Sequence, residues 1–317
     1  MAITGSSLPE RLWSSKVLHL PTYLVDAHRS FLTDKDWMDE YSPNSAGGKG
    51  GESAEEAKEH VINRFLNSAA RMQYVCSDPS DEQPDIRSTL LEQMADGQVD
   101  LLDLAAGNGS GTLAILALLC ELRNEKLIPK LPLNVSIRGV DFSAVALSFY
   151  AEILGKIEAS LQKEGIEVHL ELSVCDLMVP GEFNEVLEDF FESAKSRKVR
   201  RFLCVISAIS GVKKEGVEGM RDSLASAASW LSSRNRNSSI LWVEPVVGKT
   251  WINRVIESIS LTLKQVVHVF AKKDDSFQIK SEGYIPINLI GRHFTWFDPH
   301  LSKNAKSHVT VVAMRND

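Results

Sequence analysis

Cysteine is scarce in this chain, with four in 317 residues: Cys76, Cys120, Cys175 and Cys204. None lies near another, so no metal-knuckle spacing exists and no bound metal is expected. Their mostly apolar surroundings read as reduced core thiols. Positive charge is short too. Lys and Arg total 35 against 42 Asp and Glu, a formal net charge of −7. Sequence-independent nucleic-acid binding rests on neutralising phosphates, so nucleic acid is not an expected partner. Long apolar runs are missing. The longest, from Leu113 to Cys120, is far below the roughly 20 residues of a membrane span. The first thirteen residues hold no apolar signal-peptide core, and the reading is a soluble, cytoplasmic protein.

What is present is ordinary globular material, 44% hydrophobic and 24% charged. That suffices for one large domain, or a domain with a cap. Residues 1–41 carry Trp13, Tyr23, Phe31, Trp37 and Tyr41, too aromatic for a disordered tail. Residues 42–56, "SPNSAGGKGGESAEE", read as a flexible Gly-rich loop. In 54–75, Val61, Ile62, Phe65, Leu66, Ala69 and Met72 recur at helical spacing behind an acidic start. A break at 77–85 precedes a short helix near 86–95.

From residue 99 the pattern alternates. Strands are predicted at 99–104, 136–141, 168–175, 201–207 and 238–244, and helices at 110–124, 143–163, 181–195, 214–232 and 248–263. Such alternation implies an α/β fold, a doubly wound and mostly parallel sheet. "QVVHVFAKK" reads as a further short strand. "GRHFTWFDP" and "SHVTVVAMR" read as two strands joined by about ten residues, paired antiparallel at the sheet edge.

"LLDLAAGNGSGTLAIL", residues 101–116, places three glycines in five positions between a strand and a helix. Such a turn admits a ligand to the backbone, beside a helix N-terminus that favours an anion. Two ligand classes compete. Gly109, Gly111 and Ala114 satisfy the letter of G-x-G-x-x-A, a loose dinucleotide fingerprint. The register is late for it, and the acid closing the second strand, Asp141, follows 32 residues after Gly109.

The segment more closely resembles motif I of the class I S-adenosylmethionine-dependent methyltransferases, D-x-G-x-G-x-G. Asp103, Ala105, Gly107 and Gly109 occupy its positions, with Ala105 departing from the first glycine. "IRGVDFS" resembles the second motif through Asp141, and "LSVCDLMVP" the third through Asp176. The resemblance covers roughly residues 86–317. It implies a seven-stranded sheet with an antiparallel C-terminal strand pair. Residues 1–85 would form an N-terminal helical cap, with 42–56 as its moving part. It also implies S-adenosyl-L-methionine as cofactor. The contacts implied are Asp103, Ala105, Gly107, Asn108 and Gly109 at the turn, Asp141 on the ribose, and Phe142, Asp176 and Leu177 around the adenine. Ser207 would lie beside them.

The fourth strand end, "CVISAISG", carries none of the family's signature nucleophiles or amine-binding tetrads. Ser207 and Ser210 can orient a substrate but not deprotonate it. Glu244 and His293 are the weak catalytic candidates, and His300 reads as solvated. Tyr23, Trp37, Tyr41, Trp251 and Trp296 are candidate pocket aromatics. The expected activity is methyl transfer to an O or N atom of a small molecule or protein side chain. "HVINRFLNSAARMQYV", "ILWVEPVVG" and "RHFTWF" also resemble, more faintly, methyltransferase-like proteins of mitochondrial small-ribosomal-subunit assembly. Those carry a cysteine cluster that this chain lacks. That alternative is an rRNA-associated or non-catalytic cofactor-binding factor, and a NAD-dependent oxidoreductase is the lesser one.

Overall fold

The computed structural model describes residues 4–43, 53–209, 218–234, 237–245 and 287–316. The N-terminal part gives two minimal strands, β1 (Trp13–Ser14) and β2 (Val17–Leu18), then α1 (Thr22–Asp34), α2 (Ala54–Ser77) and α3 (Pro84–Gln93). The alternating part follows: β3 (Gly97–Leu104), α4 (Ser110–Asn124), β4 (Leu133–Asp141), α5 (Ala144–Lys163), β5 (Ile166–Val174), α6 (Pro180–Ser196) and β6 (Phe202–Ser207). Then come α7 (Arg221–Arg234), β7 (Ser238–Glu244), β8 (Ile287–Asp298) and β9 (Lys303–Asn316).

The nine strands of the described residues join one sheet in the order β1-β2-β8-β9-β7-β6-β3-β4-β5. The five strands β3 to β7 run parallel, while β9 pairs antiparallel with both β7 and β8. The chain enters at β3, steps outward to β4 and β5, then returns to β3's other side for β6 and β7. That reversal between β3 and β6 is a topological switch point, where such sheets leave a crevice at their carboxyl ends.

Burial explains the sequence patterns. Six consecutive residues of β3, Val99–Leu104, are buried, as a strand covered on both faces requires. The edge strand β5 instead alternates. Every residue of α4 from Ser110 to Arg123 is buried, because α4 lies between the sheet and α2. Its two charges are answered: Arg11 pairs with Glu121, and Arg123 donates to the carbonyls of Glu164 and Ala95. Ser53 caps α2 by accepting from the Glu56 N–H, and Ser143 caps α5 by accepting from that of Ala146.

The antiparallel C-terminal pair is present, but its connection is shorter than the sequence suggested. Four residues, 299–302, join β8 to β9. The apolar runs end early, yet ladder bonding continues through polar pairs such as Thr295↔Lys306 and Asp298↔Lys303. The N-terminal segment adds two strands beyond the expected seven, with β2 parallel to β8 through Val17↔Thr295 and Leu18↔Trp296. Leu12, Phe31 and Phe65 share one buried cluster with Val99, Leu116 and Ile153. A second cluster, around Phe183, Phe202 and Leu224, fills the other face. The predicted helix at 248–263, the "QVVHVFAKK" strand, Trp251, Ser210 and most of the Gly-rich loop fall outside the described residues. No helix among the described residues is long and apolar enough to cross a membrane.

Candidate functional site

The turn after β3 is built from left-handed backbone. Ala105, Gly107 and Gly109 have φ of 51°, 53° and 72°. The two glycines serve different ends. A Cβ on Gly109 would lie 2.2 Å from the Tyr150 ring, so this glycine lets the turn settle onto α5. A Cβ on Gly107 would meet nothing within 4 Å. It borders a cleft at the switch point.

Ala105, Gly107, Asn108, Asp141, Phe142, Leu177 and Ser207 all line that cleft. Its space between atoms, open solvent included, is about 760 Å³. Asp141 is 6% exposed. Its Oδ2 accepts from the Gly107 N–H and its Oδ1 from the Ser143 N–H, both at 2.9 Å. Burial raises its pKa, against the lowering effect of those two bonds. Each oxygen keeps a further lone pair.

Asp103 stands behind the turn and does not line the cleft. Its Oδ2 accepts from Thr112 Oγ1 at 2.6 Å. Burial raises its pKa to about 7, with Asp141 adding to the rise, while the hydrogen bond from Thr112 opposes it. Asp176 is turned to local work: its Oδ1 accepts from the Met178 N–H at 2.8 Å, at the entry to α6. Its neighbours Cys175 and Leu177 reach the cleft instead.

The two catalytic candidates lie elsewhere. Glu244 is 1% exposed, and its Oε1 accepts from the Trp242 indole at 2.7 Å and the Ile209 N–H at 2.8 Å. His293 is exposed on β8, 4.0 Å in ring separation from His308. His300 is half-buried, not solvated: its Nε2 lies 3.0 Å from His28 Nδ1, and burial lowers its pKa to about 4. Tyr23, Trp37, Tyr41 and Trp296 pack against or within the first core cluster, and none lines the cleft.

Sequence reasoning missed the cleft's contribution from α2, which supplies Ala57 and His60. The signal was a second stripe on that helix: His60, Arg64, Asn67 and Arg71 recur at helical spacing beside the apolar one. Met220, before α7, completes the apolar side with Leu177 and Ile209. Among the described residues no group of three or more His, Cys, Asp or Glu could hold a metal.

No family model matches the chain, and no curated protein matches it significantly. Solved structures do match, at low likeness. A precorrin-6y C5,15-methyltransferase from Geobacter metallireducens is 11% identical with a TM-score of 0.34, over 73% of this chain and 89% of that one. The rRNA methyltransferase aviRa from Streptomyces viridochromogenes is 15% identical with a TM-score of 0.32, over 86% and 89%. A SAM-dependent methyltransferase from Aquifex aeolicus is 9% identical with a TM-score of 0.31, over 84% and 99%. Likeness of this size leaves any assignment to rest on the chain's own residues.

Proposed function

We propose that this chain binds S-adenosylmethionine in the switch-point cleft and transfers its methyl group to an O or N atom of a small molecule or protein side chain. The observation that carries the reading is the pairing across one cleft of the glycine turn with Asp141. An open backbone at Gly107 and an acceptor-only carboxylate at the next strand end suit a nucleoside's sugar. The unpartnered Oδ1 of buried Asn108 is a further acceptor at the cleft wall.

When bound, the cofactor supplies a methyl group already activated on sulfonium. The chain's residues supply position. Asp141 holds the ribose hydroxyls, and Phe142 with Leu177 brackets the base. Asp103 acts indirectly, fixing the turn through Thr112. Residues 1–85 act as the cap and 86–317 as the cofactor domain, with Ala57 and His60 roofing the site. Holding a nucleophile in line at about 3–3.5 Å gives several kcal/mol without a general base. The four cysteines, all buried and free, suit a reducing cytoplasm. The net charge of −7 favours a small molecule or protein acceptor over nucleic acid.

Titration calorimetry with S-adenosylhomocysteine and with NAD tests this. S-adenosylhomocysteine is expected to bind, NAD is not, and Asp141→Ala is expected to weaken the former by about tenfold or more. Binding of NAD in its place, or no binding of S-adenosylhomocysteine, overturns the reading.

A further inference from the structure

The polar stripe of α2 divides its labour. Its C-terminal half is committed to the sheet: Asn67 Oδ1 accepts from Ser307 Oγ at 2.8 Å, and Arg71 Nε donates to the His308 carbonyl at 3.1 Å. The charge of Arg71 is answered by Glu244. The N-terminal half reaches the cleft. His60 lines it, with Nδ1 3.1 Å from Asn108 Nδ2. With Asn108 donating, Nδ1 is the acceptor, so the ring proton sits on Nε2.

Burial first, then the charges of Arg64 and Arg71, lower the His60 pKa to about 4. The ring is therefore neutral at pH 7 and a poor base there. An N–H donor set in the field of Arg64 and Arg71 suits an anion. One neighbour agrees. Ser110, the first residue of α4, lines the same cleft and opens a helix N-terminus.

We infer that His60, oriented by buried Asn108, is the residue that recognises a carboxylate on a ligand of this cleft. The inference rests on the cofactor reading above. The carboxylate belongs either to the amino-acid end of the cofactor or to the methyl acceptor.

The test compares S-adenosylhomocysteine with 5′-methylthioadenosine, which keeps the nucleoside and thioether but has no carboxylate. Both are titrated into the full chain, wild type and His60→Ala. If the cofactor supplies the carboxylate, the variant binds S-adenosylhomocysteine about tenfold or more weaker, while methylthioadenosine affinity changes less than about twofold. Unchanged methylthioadenosine binding also reports an intact fold. If the acceptor supplies it, both nucleosides bind the variant normally. Acetate added to the S-adenosylhomocysteine-saturated protein then gives a saturation-transfer signal with wild type and none with His60→Ala. Equal weakening of both nucleosides, or no response in any arm, overturns the inference and leaves the cofactor reading standing. Failure of wild type to bind either nucleoside overturns that reading, and this inference with it.

Discussion

Asp141 and Glu244 close two strands of the same sheet edge, β4 and β7, and serve different purposes. Asp141 lines a cleft, with each oxygen engaged by one backbone N–H and able to accept more. Glu244 is enclosed: one of its oxygens takes both the Trp242 indole and the Ile209 N–H, and its charge faces Arg71. The β3–β4 side of the edge opens onto the cleft, which Ser207 and Ile209 also border from the end of β6. The β6–β7 side is arranged around its own backbone, fixing the chain where it leaves β6 through Ala208 at φ 59°. An acid at a strand end thus faces a cleft only where the adjoining turn keeps the Cβ side open.

The sharpest way to break this comparison is Glu244→Ala. It strands two buried donors, the Trp242 indole and the Ile209 N–H, at a cost of about 1–3 kcal/mol each. Denaturant unfolding measures it. S-adenosylhomocysteine affinity of the folded variant is expected to stay near wild type. A large affinity loss with little change in stability would place Glu244 in the ligand site and erase the contrast.

A subtler test uses the acid that sits between the two sides. Asp103 has an ordinary value of 3.8 and a folded value of about 7, raised chiefly by burial. The folded state therefore holds more protons than the unfolded chain between those values. Stability contributed by this group is present below pH 3.8 and is lost as pH rises through about 7. Asp103→Asn keeps an acceptor for Thr112 and removes the titration. Its melting temperature is expected to fall less than that of wild type between pH 5 and pH 8. Parallel profiles would show that Asp103 stays ionised and that its burial is otherwise compensated.

Three acids of the predicted motifs also mark what the sequence could and could not yield. Asp103, Asp141 and Asp176 look alike in one dimension, each at or just beyond a strand end. Their roles diverge because of partners elsewhere: Thr112, nine residues on, takes Asp103 inward, and the Met178 N–H takes Asp176 into a local turn. The buried strands were legible because burial on both faces favours mostly apolar runs, as in β3, broken only by Asp100 and Asp103 over Val99–Leu104, and in Ile240–Val243 of β7. The two-residue strands β1 and β2 were not, since pairing at a sheet edge needs no pattern of that length. His60 was hidden for a different reason. It meets Asn108 across 48 residues, and only the packing of α2 on α4 brings them together.

The smallest expected effect concerns the one place where the turn departs from the motif it resembles. Ala105 sits at φ 51°, where an L residue with a Cβ carries about 1–2 kcal/mol of strain that glycine does not. Ala105→Gly relieves that strain but adds freedom to the unfolded chain, worth roughly 0.4–1 kcal/mol in the opposite direction. The net is a gain of about 1 kcal/mol or less, readable as a shift in the urea midpoint at constant m. Ala105 lines the cleft, so the same variant also probes function. If the methyl group only fills space, S-adenosylhomocysteine affinity stays within about twofold of wild type, well under 1 kcal/mol. A clear loss of affinity despite higher stability would mean that the alanine's Cβ packs against the ligand, and that the strain at this turn is retained for binding.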